Sequence, residues 1–380
     1  MTALGVNGIR LVRQRSGVAR VLEALLNTLV EIPDQPFDEI RVYSPEPIDS
    51  AVRLPAAARN VVVRSPLPPS LWEQIVLPWA HGRHDVLLCP SYTLPVMASC
   101  PTLLIHHGSY EGYAQASEVF TWWKRAKVRM SYPVSARRAT SVVTVSDYSR
   151  GDMAKFYGMA PERIHVVPDG VDTALFRPMA DRTALAAWRR RVLGEDVPFL
   201  LYVGKPTKRR NLPNLLRAFA RLKAEHRLPH KLLLVGSALP GTSFQRLVDE
   251  LGIAHEIVSV PYASHEEIAV AYNASSMLIY PSSYEGFGMP VLEAMACGTP
   301  VLALNNTAFP EFAGGIALLL EDARVETLVD GVLRILTDEG LRLRMAVEGP
   351  KRAASYDWRI VSTRYLDLLR ALIPDRQVTG

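Results

Sequence analysis

Glu285 and Glu293 stand eight residues apart in the string Tyr284-Glu285-Gly286-Phe287-Gly288-Met289-Pro290-Val291-Leu292-Glu293. Carboxylates accept hydrogen bonds from hydroxyls, so two of them facing one cavity suit a sugar. The residues between them make a shared cavity feasible. Gly286 and Gly288 let the backbone pass close to a ligand. Pro290 fits the first helical position, where its missing N–H costs little. The N–H groups of that turn and helix start, with the helix dipole, form an anion site suited to a diphosphate. Two glutamates at this spacing are common by chance, and a lone G-x-G is weak. The information lies in the whole string through Pro300.

A second cluster follows the strand-like segment Phe199–Val203. It reads Gly204-Lys205-Pro206-Thr207-Lys208-Arg209-Arg210-Asn211, and Leu212, Leu215, Leu216 and Phe219 then recur at helical spacing. Asn211 reads as an N-cap and Pro213 as a first-turn residue. Four cations just before a helix N-terminus oppose the helix dipole unless an anion lies there; the alternative is solvated loop charge. Earlier, the apolar run Thr102–Ile105 ends in His106-His107-Gly108. A histidine at the carboxyl end of a strand can bond a sugar hydroxyl or titrate near neutrality. A lone histidine is more often structural.

These segments resemble the family 4 retaining glycosyltransferases (GT-B fold, glycosyl transferases group 1). Tyr284 to Pro300 is similar to that family's E-x7-E segment. The resemblance implies that Glu285 holds the donor sugar and Glu293 the nucleotide ribose. The amides of Gly286, Phe287, Gly288 and Met289 would face the diphosphate. Gly204 to Asn211 resembles the family's G-x-x-x-x-[RK]-[RK]-N loop, which gives Arg209 and Arg210 a phosphate-binding role. His106 matches the histidine of a His-Asp pair near the reacting centre, with His107 in place of the aspartate on the acceptor side. Gly17 matches the glycine of an N-terminal turn that lets a substrate approach the backbone, and Arg20 follows as a phosphate ligand. Val166 to Asp172 is similar to V-x-P-N-G-V-D, with Asp169 replacing Asn, and is read as structural. Val260 and Tyr262 fall where the family cups the nucleobase.

The implied fold is α/β, with two doubly wound Rossmann-like domains facing across a cleft. Alternating strand-like and helix-like segments agree with parallel sheets flanked by helices. An amphipathic helix opens at Ser16-Gly17, with Val18, Val21, Leu22, Leu25, Leu26 and Leu29 on one face. The first domain is expected over 1–180 and the nucleotide-sugar domain over 181–357. A C-terminal helix from about 358 would pack back on the first.

The 380 residues suffice for two domains, and 48% hydrophobic with 21% charged residues indicates a globular protein. No apolar run approaches the ~18 residues that span a bilayer. Arg10, Arg13, Arg15 and Arg20 break up the apolar start, so no signal peptide is expected. Three scattered cysteines, Cys89, Cys100 and Cys297, indicate a reducing compartment rather than a disulfide framework. A cytoplasmic location follows, at the inner face of the membrane if residues 122–138 bind lipid. That segment carries Trp122, Trp123, Lys124, Arg125, Lys127, Arg129, Arg137 and Arg138 with no acid. It reads as a membrane-surface patch, or as a solvated helix face with a few buried aromatics. A net charge of +5 does not by itself argue for nucleic acid.

The activity this implies is retaining transfer of a sugar from UDP- or GDP-sugar to a hydroxyl of a glycan or lipid-linked acceptor. Neither a metal nor another cofactor is expected, since no D-x-D segment with a strand context appears. Three alternatives remain: a GT-B nucleotide-sugar epimerase, a non-catalytic sugar-nucleotide-binding subunit, and a nucleic-acid-binding protein.

Overall fold

The computed structural model describes residues 2–12, 17–80, 84–113, 121–237, 239 and 241–374; Ser16, expected at the first helix start, lies outside them. Among the described residues thirteen short strands are joined by crossovers that are mostly helical. Seven form one parallel sheet: β1 (Ala3–Asn7), β2 (Glu39–Ser44), β3 (Ala58–Val62), β4 (Val86–Cys89), β5 (Thr102–His106), β6 (Ser141–Thr144) and β7 (Ile164–Val166). Six form another: β8 (Phe199–Val203), β9 (Lys231–Val235), β10 (Ile257–Val260), β11 (Met277–Tyr280), β12 (Val301–Leu304) and β13 (Leu318–Leu320). The orders are β3-β2-β1-β4-β5-β6-β7 and β10-β9-β8-β11-β12-β13. Both follow the 3-2-1-4-5-6 winding of the Rossmann fold, whose strand order reverses beside the first strand of each set. Ligands bind such sheets at the carboxyl ends of the strands near that reversal. The residues following β1, β4, β8 and β11 therefore matter most for function.

Burial explains why these segments are strands. β1, β5 and β8 are buried at every position, as strands covered on both faces must be, and they read as apolar runs rather than alternations. In the second sheet Leu200, Tyr202, Leu232, Leu234 and Ile279 pack on Leu216 and Phe219 of the helix Leu212–His226. In the first, Leu87, Leu104 and Val142 pack on Met153 and Tyr157.

The chain divides into two compact units, Met1–Gly170 with Trp358–Gly380, and Val171–Asp357. The division falls before the expected boundary at 180. Val171 N–H donates to Tyr356 O at 2.9 Å and Val171 bridges Asp357, so the second unit closes its own two ends. The helix Trp358–Leu372 lies in the first unit, with the Trp358 ring against Gly170.

Candidate active site

In the second unit the carboxyl ends of three strands are laced together. Gly204 N–H donates to Val235 O and Gly236 N–H to Val260 O, each at 2.8 Å. Ser237 Oγ donates to Gly204 O at 2.6 Å. Val260 is thereby fixed at this edge. Gly204 has φ +135°, and the space a Cβ would occupy is filled by the Arg210 guanidinium. Only glycine meets both demands.

Lys208–Arg210 form a single 3-10 turn ahead of the helix Leu212–His226. Asn211 was expected to cap that helix with its side chain, and it does not. Its φ of 50° and ψ of 30° are left-handed, whereas an N-cap needs extended backbone. Its Nδ2 donates instead to Pro281 O at 2.8 Å and ties the basic loop to the glutamate-bearing loop.

Glu285 is the hub of this region. Its Oε1 accepts from Arg210 Nε at 3.0 Å, Tyr280 OH at 3.0 Å and Ser282 Oγ at 2.9 Å. Its Oε2 faces Arg209 Nη1 at 3.2 Å. Burial pushes the Glu285 carboxyl up, but Arg210 and Arg209 outweigh it and hold it below the usual range. The Arg210 guanidinium also lies 5.4 Å from the Tyr280 ring centroid, a cation–π contact. Arg209 also donates to Tyr284 O, and Ser283 N–H donates to Arg209 O at 2.9 Å. Three donors thus fall on Oε1, and Oε2 faces Arg209. In this conformation it organises the two arginines.

Glu293 sits on the helix Met289–Ala296, 4% exposed, and its Oε2 accepts from Tyr272 OH at 3.0 Å. Gly288 precedes the helix with φ +115°, pressed against the Phe309 ring. Pro290 falls in the first turn. Phe287 stacks on Phe312 with ring centroids 4.6 Å apart, and Gly286 is buried beside it. The turn from Gly286 to Met289 is thus pinned by packing on one side. Tyr262 is 60% exposed beyond the end of β10.

In the first unit Gly17 begins the helix Gly17–Leu29, exposed, and Arg20 lies partly exposed one turn on. His106 ends β5 with no exposed surface. Its Nε2 is 3.0 Å from Tyr157 OH, which donates to Glu111 Oε1. Tyr92 and Tyr132 stand edge-on to the ring at 4.9 and 5.7 Å. Burial, with His107 beside it, lowers the His106 pKa to about 3. His106 was expected to bond a sugar hydroxyl or to titrate near neutrality; in this enclosed position it is a neutral ring with no exposed surface. His107 turns the other way. Its Nε2 lies 2.9 Å from Pro90 O and its Nδ1 3.9 Å from Asp169 Oδ1. Asp169 is therefore a partner of His107.

The helix Trp122–Arg138 exposes both tryptophans, Trp122 at 66% and Trp123 at 69%, with their rings stacked. The alternative in which these aromatics are buried does not hold. Among the described residues no helix is long and apolar enough to cross a membrane.

Several partners went unread in the sequence: Tyr272 on Glu293, Tyr280 and Ser282 on Glu285, and the Glu111–Tyr157–His106 chain. Their separations are set by strand order, which no local pattern carries.

Residues 15–175 match the family model Glycosyltransferase Family 4 and residues 187–352 match Glycosyl transferases group 1. The chain is 32% identical over 256 residues to MMP alpha-(1->4)-mannosyltransferase of Mycolicibacterium hassiacum, covering 64% of this chain and 58% of that protein. It is 28% identical over 235 residues to O-antigen chain mannosyltransferase B of Escherichia coli, covering 62% and 61%. The matches thus span about three-fifths of these two relatives. Among solved structures, sucrose-phosphate synthase from Thermosynechococcus elongatus superposes with a TM-score of 0.80 at 21% identity, over 98% of this chain and 99% of that one. Anabaena HepE in complex with UDP and glucose gives 0.77 at 17%, over 98% and 100%. Both family models match in chain order, and both sheets carry the Rossmann winding. The chain belongs to the family 4 glycosyltransferases of GT-B fold.

Proposed function

We propose that this protein transfers a sugar from a nucleotide-diphosphate donor to an acceptor hydroxyl with retention of configuration. The second unit takes the donor. The observation that carries the reading is the junction of Arg209, Arg210 and Glu285 beside the start of the helix Met289–Ala296. Two guanidiniums against one carboxylate leave a net positive charge, and the adjacent helix start adds amide donors. Both act where negative charge develops as a diphosphate leaves. That stabilisation needs no metal. Glu293, nearly buried and oriented by Tyr272, is placed to accept from a ribose hydroxyl. Val260 and Tyr262 bound the base, which is uracil or guanine on this reading. The named activities of the relatives, mannosyl transfer among them, support a hexose donor.

The first unit takes the acceptor, a glycan or lipid-linked sugar. Peripheral membrane contact is supported by the exposed Trp122 and Trp123 among Lys124, Arg125, Lys127 and Arg129. Lys127 Nζ donates to Ser70 Oγ at 2.9 Å, which joins this helix to a neighbouring one that exposes Leu71, Ile75 and Trp79 at helical spacing.

A thermal-shift panel of UDP, GDP, ADP, dTDP and their common sugars, without metal, tests the donor reading. A ligand at 100 times its dissociation constant adds ~2.7 kcal/mol. One nucleotide that clearly raises the melting temperature supports the reading and names the base. No response to any nucleotide contradicts it and favours a non-catalytic role.

A further inference from the structure

Three buried side chains from separate segments meet behind β5. Tyr157 ends the helix Asp147–Tyr157, Glu111 lies in the short turn Tyr110–Gly112, and His106 ends the strand. Glu111 is 3%, Tyr157 2% and His106 0% exposed. A tyrosine hydroxyl has one proton, and here it is given to Glu111 Oε1. With Glu111 ionised, a state that burial opposes and the Tyr157 hydrogen bond favours, the oxygen can then only accept at His106 Nε2, 3.0 Å away, so Nε2 carries the ring proton. In a neutral ring the other nitrogen is then an acceptor. His106 Nδ1 is buried and has no hydrogen-bond partner among the described residues. A buried polar atom left without a partner costs stability, and such atoms mark places where a ligand completes the bonding. Tyr92 stands edge-on to His106 and stacks on Tyr132 at 5.0 Å. It holds the unusual φ of 61°, a backbone state that costs energy in a bulky residue.

We infer that Glu111 and Tyr157 are positioning residues that lock His106 in the Nε2–H tautomer, so that Nδ1 accepts a hydrogen bond from a sugar hydroxyl once Tyr92 swings aside. The functional half rests on the glycosyltransferase reading above; the tautomer does not. Neither Glu111 nor Tyr157 touches the sugar. Their effect passes through the orientation and protonation of the imidazole, as a carboxylate sets a histidine tautomer elsewhere.

The test is a long-range 1H–15N correlation spectrum of the full chain labelled with 15N-histidine, with the His106 signals assigned by their loss in His106→Gln. The expected result is a single tautomer with the proton on Nε2. A proton on Nδ1 overturns the inference outright, even if no variant can be purified. In Tyr157→Phe the lock is gone and the tautomers mix; in Glu111→Gln, whose amide also donates, they mix as well. Unchanged His106 signals in both variants overturn the lock. In transfer assays Tyr157→Phe lowers kcat/KM by roughly tenfold to a hundredfold, and wild-type turnover by both variants overturns the role assigned to Nδ1. The spectra need no nucleotide sugar. Failure of the wild-type chain to bind any nucleotide, which contradicts the proposed function, is therefore a separate result.

Discussion

The two units share one winding but handle polar groups differently after β11 in the second and after β5 in the first. In the second unit, charges of both signs are gathered: Glu285 receives Arg209, Arg210, Tyr280 and Ser282. In the first, the end of β5 holds a neutral histidine walled in by tyrosines, with its nearest carboxylate one hydroxyl away. The contrast fits the two halves of the proposed reaction. A diphosphate carries charge and is met by fixed opposite charge. An acceptor hydroxyl carries none and needs a directional hydrogen bond. On that proposal one backbone plan serves two chemistries, because the loops after the strands, and not the sheet, decide which polar groups are presented.

The largest expected effect breaks the charged half. Arg210→Ala removes the guanidinium that fills the space beside Gly204 and leaves the Glu285 carboxylate short of a partner. Breaking such a pair costs about 3 kcal/mol, measurable by urea unfolding, and nucleotide binding should disappear with it. Full stability in that variant contradicts the role of Glu285 as a hub.

Acid separates the halves next. The His106 pKa is lowered to about 3 by burial, so its contribution to stability is complete above its unfolded value of ~6.5 and is lost as pH falls from there toward 3. Between pH 6.5 and 5 the loss is about 2 kcal/mol, since each unit of pH corresponds to 1.36 kcal/mol per proton. His230 in the second unit, lowered to about 4 by burial and by Lys223, adds a similar loss. Glu285 is also depressed, so its contribution persists to lower pH and declines only as its carboxylate protonates. Melting temperatures at pH 7 and pH 5 should therefore converge partly in His106→Gln. An unchanged gap in that variant removes His106 from the acid response.

A smaller change sharpens the donor side alone. Tyr272→Phe deletes the hydroxyl that donates to Glu293, at a cost of ~1 kcal/mol in stability and about tenfold in nucleotide affinity. Calorimetric titration checks both, and unaltered affinity means that Tyr272 does not orient Glu293. The smallest effect on folding is expected from Trp122→Ala with Trp123→Ala. Both rings are exposed, so stability should stay within about 0.5 kcal/mol while sedimentation with anionic liposomes falls. Equal sedimentation of both proteins contradicts the membrane reading.

Much of the second unit was legible in the sequence. Leu212, Leu215, Leu216 and Phe219 recur at helical spacing and are buried, and Pro290 marks a helix start. The first unit was harder to read. β1 and β2 escaped notice, because five residues such as Ala3–Asn7, with Gly5 among them, show no period that distinguishes a strand. Asn211 was misread because a cap residue and a left-handed bridging residue look alike in sequence. His106 was legible as the end of a strand, but its enclosure was not, since Tyr92, Tyr132 and Tyr157 converge on it only through the fold. Motifs recorded which residues were present; only the topology recorded which of them pair.

Isothermal titration of UDP and of GDP into the full chain, compared with Arg209→Ala, tests the central claim most directly. The account predicts that one of the two nucleotides binds the wild-type chain without added metal, and at least roughly tenfold more weakly to the variant, as expected for loss of a charge-assisted contact. Absence of binding by the wild-type chain, or equal affinity in the two proteins, would contradict it.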